Sequence, residues 1–424
     1  MKYIFKEEIQ KYFREAHQKH LIDAQDSAVL FCDWSLIKER INRLQKNFPS
    51  NTQHCIPVKT NPLSAVLNYL ADLPGDLAFE AASFNELLLA KNTGVANHRL
   101  VFDSPAKTQT ELEYIDRHLP GITINCNDIG EVQEYYHLLK KSRLGLRINP
   151  MIDAKADQHF NVSTAASKFG ESIFNEEKII ECFKKFPELK GLHIHAASNF
   201  TNYNAVVEGI YKVEQLALKI NKQVQENRIE FVDIGGGFPA GSNPESPVYI
   251  EEYISALKEK CKFLFSEKIQ LLTEFGRFVH ANACWAVSAV ENVKKNSECN
   301  IVVNHLGADI FLRAAYTNNT LESRLFIIDK DLNIKNNDSP EKYIIDGPLC
   351  FAGDRILQQV SLPEVKRGDH LVFTDIGANT FALWSRHCSR SFPKVIAYSS
   401  EKNGVDMRVV KQRESFDDIL RFWS

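Results

Sequence analysis

The sequence predicts an α/β fold that consists of a (β/α)₈ TIM barrel and a mostly antiparallel β domain. Short apolar runs alternate with amphipathic stretches over the first two thirds of the chain, as in repeated strand–helix units. Eight such units follow a separate first strand, and this is the number that closes a barrel. After Arg277, strands follow one another without long helices, which is typical of an antiparallel sheet. An open, doubly wound parallel sheet is the alternative for the first part.

The predicted strands are short apolar runs bounded by polar or turn-forming residues. The separate first strand is 28–32, and the barrel strands are 55–58, 77–79, 100–102, 122–124, 144–148, 191–195, 231–234 and 269–273. Helical patterns lie between them, for example at 86–91, 177–185 and 206–225. Later strands are predicted at 286–293, 300–303, 324–328, 343–345 and 370–374. We therefore expect an N-terminal segment at 1–34 that contributes to the β domain, a barrel at 35–275 and a C-terminal β domain at 276–424.

Composition narrows the function classes. The chain has 424 residues, 44% apolar and 25% charged, and a formal net charge of -3, with no basic block for nucleic acid and no apolar run that would span a membrane. Its nine cysteines are scattered without a C-x-x-C pair, which favours reduced thiols over a disulfide or zinc framework. The charged first 20 residues lack the apolar core of a secretory signal. We expect a cytoplasmic protein that acts on a small molecule.

Lys59 is the first candidate for chemistry. It lies in the segment 56–62 (IPVKTNP), where an apolar strand runs into a turn. An amine at such a strand end can be desolvated by a pocket, which favours its nucleophilic form. Many lysines beside turns are ordinary surface residues, so other motifs must decide.

Two histidines follow at 193 and 195 within the segment 191–198 (GLHIHAAS). Because side chains alternate along a strand, His193 and His195 are predicted to share a face. One imidazole could stack on a planar ligand while the other lines the approach to it. A pair of buried core histidines is the alternative, and no third metal ligand is evident nearby.

Three further segments carry features of a binding site. The run 231–239 (FVDIGGGFP) ends a strand in Gly235, Gly236 and Gly237, whose backbone N–H groups can converge on a phosphate. Glu274 ends another apolar strand, and either Arg277 or a protonated ring nitrogen of a ligand could be its partner. The turn-rich segment 347–354 (GPLCFAGD) holds one thiol, that of Cys350.

Taken in order, these segments resemble the alanine-racemase-like, fold-type III family of pyridoxal-phosphate decarboxylases, which includes diaminopimelate and ornithine decarboxylases. The resemblance covers nearly the whole chain. The matching segments are 57–62 (PVKTNP), 79–87 (FEAASFNEL), 146–150 (LRINP), 167–170 (SKFG), 195–198 (HAAS), 233–239 (DIGGGFP), 274–277 (EFGR) and 347–354 (GPLCFAGD).

The resemblance implies a role for each matched residue. Lys59 would bind pyridoxal 5'-phosphate as an imine, and Cys350, supplied by the other subunit of a homodimer with shared sites, would reprotonate the substrate carbanion. His195 would stack on the cofactor ring, and Glu274 would pair with its nitrogen. The other cofactor-binding residues would be Glu80, Arg147, Ser198, Gly235, Gly236, Gly237, Gly276, Arg277 and Asn379. The substrate-binding residues would be Arg277, Arg313, Tyr316, Phe351 and Asp354.

The chain also departs from the family's pattern. Phe351 stands where diaminopimelate and ornithine decarboxylases carry the acidic residue that contacts the distal amine of the substrate, and Asn379 stands where they carry a tyrosine. Arg313 keeps the arginine that binds a distal carboxylate, and Tyr316 is offset by one position. We therefore expect a substrate with a distal carboxylate but no free distal ammonium. Acylated or citryl-bearing diamino acids fit this description, as in carboxylate siderophore pathways.

Two alternatives to a decarboxylase stay open from sequence. An amino-acid racemase on the same scaffold is disfavoured, because the related racemases place an arginine rather than a carboxylate such as Glu274 at the ring nitrogen. A catalytically silent homologue is disfavoured because Lys59 and Cys350 are both present, although Asn379 keeps the idea open.

Overall fold

The computed structural model describes residues 4–153, 163–200, 202–224, 227–240, 249–297, 299–317, 325–401 and 404–424. Its contacts divide the chain into two compact units. The described residues from Arg40 to Phe278 form the barrel unit, and those before Arg40 or after Phe278 form the β unit. Within these ranges, no helix combines the length and apolar character needed to cross a membrane.

Helices and strands alternate along the first two thirds of the chain, and strands predominate after that. The helices are α1 (Lys6–Gln18), α2 (Trp34–Asn47), α3 (Ser64–Ala71), α4 (Phe84–Lys91), α5 (Gln109–His118), α6 (Ile129–Tyr135), α7 (Glu176–Lys185), α8 (Tyr203–Gln223), α9 (Ile250–Lys260), α10 (Gly276–His280), α11 (Leu312–Thr317) and α12 (Phe416–Trp423). The strands are β1 (Ala28–Asp33), β2 (Gln53–Pro57), β3 (Ala78–Ala81), β4 (Leu100–Phe102), β5 (Thr123–Cys126), β6 (Arg143–Asn149), β7 (Glu171–Ser172), β8 (Leu189–His193), β9 (Phe231–Gly236), β10 (Gln270–Glu274), β11 (Cys284–Lys295), β12 (Asn300–Asn304), β13 (Phe326–Ile328), β14 (Glu341–Asp346), β15 (Arg355–Leu362), β16 (His370–Phe373), β17 (Lys394–Glu401) and β18 (Gly404–Lys411).

The barrel unit contains the predicted closed parallel barrel. Its strands pair in the order β2, β3, β4, β5, β6, β8, β9 and β10, and β10 pairs again with β2. All of these pairings are parallel, and the short strand β7 lies beside β6. The closing pair of β10 with β2 rules out the open, doubly wound alternative. In a parallel barrel all strands direct their carboxyl ends to the same face, and that face is where sites form.

Two glycines make room for a large side chain in the barrel interior. The ring of Phe231 fills the space beside Gly145 and Gly191, because a Cβ atom would lie 3.0 Å from this ring at Gly145 and 2.1 Å from it at Gly191. The guanidinium of Arg143 lies over the same ring at 4.1 Å from its centroid. This packing closes the interior away from the carboxyl ends of the strands and leaves the polar groups to the other end.

The β unit is built on a nine-stranded, mostly antiparallel sheet, as predicted for the second part of the chain. Its main order is β15, β14, β12, β11, β1, β17 and β18, while β16 pairs with both β11 and β13. The pairs of β12 with β14 and of β1 with β17 are parallel. Strand β1, which precedes the barrel in sequence, therefore lies in the middle of this sheet.

Several local expectations differ from the structure. Strand β2 ends at Pro57, because Val58–Thr60 form a 3₁₀ turn. Strand β8 ends at His193, so His195 lies in the loop that follows the strand. Strands β15, β17 and β18 and helix α12 were not predicted from the sequence. Strand β15 alternates irregularly between buried and exposed positions, which hides the two-residue period of a strand.

Candidate active site

Polar side chains gather toward the carboxyl ends of the barrel strands. They are Glu80 on β3, Asn125 on β5, Arg147 on β6, His193 on β8, Asp233 on β9 and Glu274 on β10, and all of them are buried. Asp103 follows β4 directly and is also buried. Buried charges need partners, so this group must be paired internally or with a ligand.

Lys59 lies in the 3₁₀ turn after β2 and forms an ion pair with Glu80. Its Nζ donates to Oε1 at 2.8 Å and to Oε2 at 2.6 Å. The Glu80 side chain is fully buried, whereas that of Lys59 is 39% exposed. Burial by itself would lower the pKa of Lys59, but the carboxylates of Glu80, Glu274 and Asp103 raise it above its ordinary value. The amine is therefore an ammonium in this arrangement and must lose a proton before it can act as a nucleophile.

His193 lies between two carboxylates. Its Nδ1 is 3.5 Å from Oδ1 of Asp103, and its Nε2 is 3.4 Å from Oε1 of Glu274. Burial would lower the pKa of this imidazole, but Asp103, Glu274 and Asp233 raise it to about 9. His193 is completely buried, so the expectation that it could line an approach to the site is wrong.

Glu274 is the central anion of the group. Burial by itself would raise its pKa, but His193 and His195 hold it well below the ordinary value. Its Oε2 lies 3.2 Å from Nδ1 of His195, and the backbone N of Gly236 lies 3.3 Å from the same nitrogen, which can either donate to the carboxylate or accept from Gly236 but not both. Burial lowers the pKa of His195, so this second imidazole is neutral near pH 7. Arg277 belongs to the short helix α10 that follows this strand.

Backbone packing requires the three glycines at the end of β9, of which Gly235 and Gly236 are its last two residues and Gly237 follows directly. A Cβ atom at Gly236 would lie 1.8 Å from the carbonyl oxygen of Glu274, and one at Gly237 would lie 1.8 Å from that of Ala197. Gly235 and Gly237 also have positive φ values of +66° and +83°. The N–H of Gly235 donates to Oδ1 of Asp233, and that of Gly236 donates to His195. Two of the three expected phosphate donors thus have partners within the protein.

The loop after β8 lies against this glycine run. The N–H of Asn199 donates to the carbonyl oxygen of Gly237 at 2.8 Å, which places Ser198 beside the run. Gly276 lies against the turn of Lys59, because a Cβ atom there would be 2.4 Å from Cγ2 of Thr60. Segments that are far apart in sequence therefore meet at one end of the barrel, as their motifs predict.

Arg147 contacts other side chains of the barrel unit. Its Nη1 donates to Oδ2 of Asp103 at 3.1 Å, and its guanidinium lies 4.4 Å from the ring centroid of Phe169. With Arg147 and His193 as partners, the pKa of Asp103 stays below its ordinary value, although burial by itself would raise it. Arg147 thus supports the buried carboxylates, and a direct contact with the cofactor stays a prediction.

Cys350 and Phe351 lie on a loop of the β unit. Both are exposed, Phe351 by 39%. The loop is held by Asp354, which is 3% exposed and accepts the N–H groups of Ala308 and Leu349, each at 2.6 Å. Because its two oxygens bond the backbone, Asp354 supports the loop, and its role in substrate binding stays a prediction.

Arg313, Tyr316 and Asn379 are the remaining predicted site residues of the β unit. Arg313 belongs to α11 and is half-buried, and burial lowers the pKa of its guanidinium. The side chain of Tyr316 lies outside the described residues. Asn379 has a φ of 52°, a left-handed conformation that asparagine adopts more readily than most residues. The tyrosine expected here by resemblance would be less suited to that backbone.

Sequence reasoning missed part of the buried network. Asp103 and Asn125 were not predicted, and Asp233 was noted only as part of the glycine motif. Burial raises the pKa of Asp233 to about 8, and Glu274 adds to this effect. An available signal for Asp103 was its position directly after the apolar run 100–102, at the end where barrel sites form.

The barrel residues fit pyridoxal phosphate chemically. Lys59 provides a partly exposed amine for an aldehyde, and Glu274 provides a buried anion for a basic ring nitrogen. His195 provides a neutral imidazole beside Glu274, and the glycine run leaves no space for side chains.

Comparisons with known proteins agree with this chemistry. A sequence model described as "Pyridoxal-dependent decarboxylase, pyridoxal binding domain" matches residues 34–281, which is more than half of the chain. The diaminopimelate decarboxylase of Helicobacter pylori is 26% identical over 376 residues, covering 87% of this chain and 88% of the relative. That of Aquifex aeolicus is also 26% identical, over 393 residues, covering 91% of this chain and 89% of the relative.

Solved structures share the fold. Diaminopimelate decarboxylase from Helicobacter pylori complexed with L-lysine has a TM-score of 0.82 at 22% identity, covering 97% of this chain and 99% of that chain. The arginine decarboxylase of Paramecium bursaria Chlorella virus has a TM-score of 0.76 at 18% identity, covering 92% of this chain and 100% of that chain. The chain therefore belongs to the fold-type III family of pyridoxal-phosphate-dependent decarboxylases and is a carboxy-lyase.

Proposed function

We propose that this decarboxylase acts on an amino acid that has a distal carboxylate but no free distal ammonium. An acylated or citryl-bearing diamino acid of a carboxylate siderophore pathway is the substrate class that we favour. The observation that carries the proposal is an apolar ring, that of Phe351, beside the thiol of Cys350 on an exposed loop. An ammonium group near an apolar ring without a counter-ion would be poorly stabilised.

Bound pyridoxal phosphate supplies an electron sink for the carbanion that is left when carbon dioxide departs. The chain's residues would bind and orient the reactants around it. Lys59 would hold the cofactor through its amine, and Glu274 would keep a proton on the ring nitrogen. His195 would lie against the ring, and Cys350 would deliver a proton to the substrate's Cα. The phosphate would be bound by Ser198, Gly237 and Arg277, and also by Gly235 and Gly236 once their N–H groups exchange Asp233 and His195 for phosphate oxygens.

The environment of Phe351 supports the assignment of distal recognition to this part of the β unit. The ring of Phe351 lies edge-on to that of His387, with centroids 5.6 Å apart. The N–H of Ser385 donates to the carbonyl oxygen of Asp309 at 2.9 Å, three residues before α11 begins. The segments 307–313, 347–354 and 385–390 are thereby joined. Arg313 lies in the first of them and would bind the distal carboxylate with two parallel hydrogen bonds.

Diaminopimelate itself is the second candidate substrate. It is favoured by the relatives named diaminopimelate decarboxylase, which match most of the chain. The two candidates differ in the distal amine, which is free in diaminopimelate and blocked in an acylated diamino acid.

A substrate panel with carbon dioxide detection separates the candidates. We expect higher kcat/KM for acylated or citryl-bearing diamino acids than for diaminopimelate, lysine or ornithine. The variant Phe351→Glu should gain activity on diaminopimelate, while Phe351→Gln, similar in size but uncharged, should not. Efficient turnover of diaminopimelate by the wild type would refute the substrate assignment.

We further propose a cytoplasmic homodimer in which each site takes Lys59 from one subunit and Cys350 from the other. The nine cysteines are all free, and this favours a location in a reducing compartment such as the cytoplasm. Mixing inactive Lys59→Ala and Cys350→Ala proteins after mild dissociation should restore about a quarter of wild-type activity, since half of the dimers are hybrids with one complete site. A lack of recovery in verified hybrids would refute shared sites.

A further inference from the structure

We propose that His193 is a positioning residue whose protonated imidazole, held between Asp103 and Glu274, keeps the Glu274 carboxylate ionised for the ring nitrogen of the cofactor. The inference rests on the proposed placement of that ring nitrogen at Glu274. It concerns a residue that would not touch the cofactor and would act only through its neighbour.

The number of N–H groups that His193 needs favours its protonated form. A neutral imidazole has one N–H and one bare nitrogen, whereas each nitrogen of His193 faces a carboxylate oxygen, at 3.5 Å in Asp103 and 3.4 Å in Glu274. A bare nitrogen facing a carboxylate is repulsive, so this arrangement favours an N–H on both sides. The imidazolium is the form that presents a positively charged N–H to both carboxylates at these ion-pair distances.

The register of the barrel strands leads to the same form. His193 pairs with Arg147 on β6 and with Asp233 on β9. Its surroundings therefore include the carboxyl groups of Asp233, Asp103 and Glu274. Arg147 is another cation nearby, and it is bonded to Asp103. Among the described residues, His193 contacts the side chains of both Asp103 and Glu274, whereas Arg147 contacts Asp103.

The consequence concerns Glu274. A carboxyl group this deeply buried, with other acids nearby, would tend to take up a proton. A neutral carboxylic acid could no longer stabilise a protonated ring nitrogen, and the ring would be a weaker electron sink. His193 prevents this protonation, and Arg147 holds Asp103 in place for His193.

A divalent cation is the rival explanation. The nearest ligand atoms of Asp103, His193 and Glu274 lie within 4.8 Å of one another, a separation at which three ligands could share an ion. We favour the proton, because a cation bound to Glu274 would compete with the ring nitrogen for the same carboxylate.

The test uses holoenzyme loaded with pyridoxal phosphate that is ¹⁵N-labelled in its ring. We expect the NMR signal of the wild type near pH 7 to be that of a protonated ring nitrogen. In His193→Asn, that signal should move toward the unprotonated form and kcat should fall at least tenfold, since each unit by which the pKa of Glu274 rises past the ambient pH lowers its ionised fraction about tenfold. The cofactor should stay bound.

His54 provides a matched control. It is also a buried barrel histidine, but its Nδ1 lies 2.8 Å from the hydroxyl of Thr273, and burial lowers its pKa to about 4. His54→Asn should therefore leave the ring nitrogen protonated. An equal shift of the signal in both variants would mean a general packing effect and would overturn the proposal.

Further variants keep the outcomes separable. If Glu274→Gln leaves the ring nitrogen unchanged, the proposed placement of the cofactor is wrong. If Glu274→Gln changes it and His193→Asn does not, only the inference about His193 fails. Should His193→Asn not fold, Asp103→Asn serves instead, because it removes one of the two carboxylates that face His193, and the ring-nitrogen signal should again move toward the unprotonated form. Stoichiometric metal in the purified wild type that is lost in either variant would also overturn the proposal.

Discussion

The ion pair between Lys59 and Glu80 should slow the attachment of the cofactor to Lys59. Glu80 bonds the amine through both oxygens, at 2.8 and 2.6 Å, and so favours the ammonium form. The change Glu80→Gln removes that charge and keeps the size of the side chain. A contacting opposite charge shifts a pKa by roughly one to three units, and each unit changes the free-amine fraction tenfold. Because the Lys59 side chain is 39% exposed, solvent screening favours the lower end of this range of pKa shifts, which corresponds to about a tenfold gain in the free-amine fraction.

The assay mixes apoprotein with pyridoxal phosphate and follows the visible absorbance band by stopped flow between pH 6 and 9. We expect Glu80→Gln to bind the cofactor about tenfold faster than the wild type near pH 7, with the rise in rate moved to lower pH. Glu86→Gln is the matched control, since Glu86 bonds the N–H of Ala82 at 2.8 Å and not the amine. A Glu80→Gln rate equal to or below that of the wild type would refute the reasoning and would indicate that Glu80 assists proton removal.

Three further outcomes test the site. Gly236→Ala places a Cβ atom 1.8 Å from a backbone oxygen of β10, so chemical denaturation should show that the free energy of unfolding falls by about 1–3 kcal/mol or more. Gly130→Ala should change this free energy little, because the nearest atom to its Cβ would be a side-chain oxygen at 3.1 Å. Cys350→Ser should lower kcat about a hundredfold with the visible band retained, while Cys388→Ser, at another exposed thiol, should not. The pKa of Asp233, raised to about 8 chiefly by burial, means that the folded chain keeps a proton which the unfolded chain loses near pH 4. Stability should therefore fall as the pH rises from about 4 to about 8, and Asp233→Asn should flatten this fall in thermal unfolding of the apoprotein; an unchanged slope would contradict the assignment.

Much of the fold could be predicted because strand and helix periods are local properties. The apolar runs that end at Lys59 and Glu274 and the run that leads into the glycines were all recognisable, and the barrel confirms that these segments meet at one end. The antiparallel sheet was also predicted, but its last strands were missed, and in β15 and β18 burial alternates irregularly along the strand. Half-exposed strands carry a weaker pattern than strands buried on both faces.

The roles of individual polar residues were less predictable. Asp354 was expected at the substrate, yet its carboxylate bonds two backbone N–H groups within and beside its own loop. Arg147 was expected at the cofactor, yet it bonds Asp103. In each case the resemblance implied a role at the site, while the hydrogen-bond partners lie in a segment more than 40 positions away or within the folded loop itself.

The sequence by itself determined the class of fold and the family, and it indicated an amine, an imidazole, a carboxylate and a thiol as candidates for the site, because these follow from local periods and short motifs. Only the tertiary structure decided that His193 lies between Asp103 and Glu274 and that Lys59 pairs with Glu80. The physical reason is that barrel closure and strand register determine which side chains face one another, and the charge of a buried group depends on those neighbours.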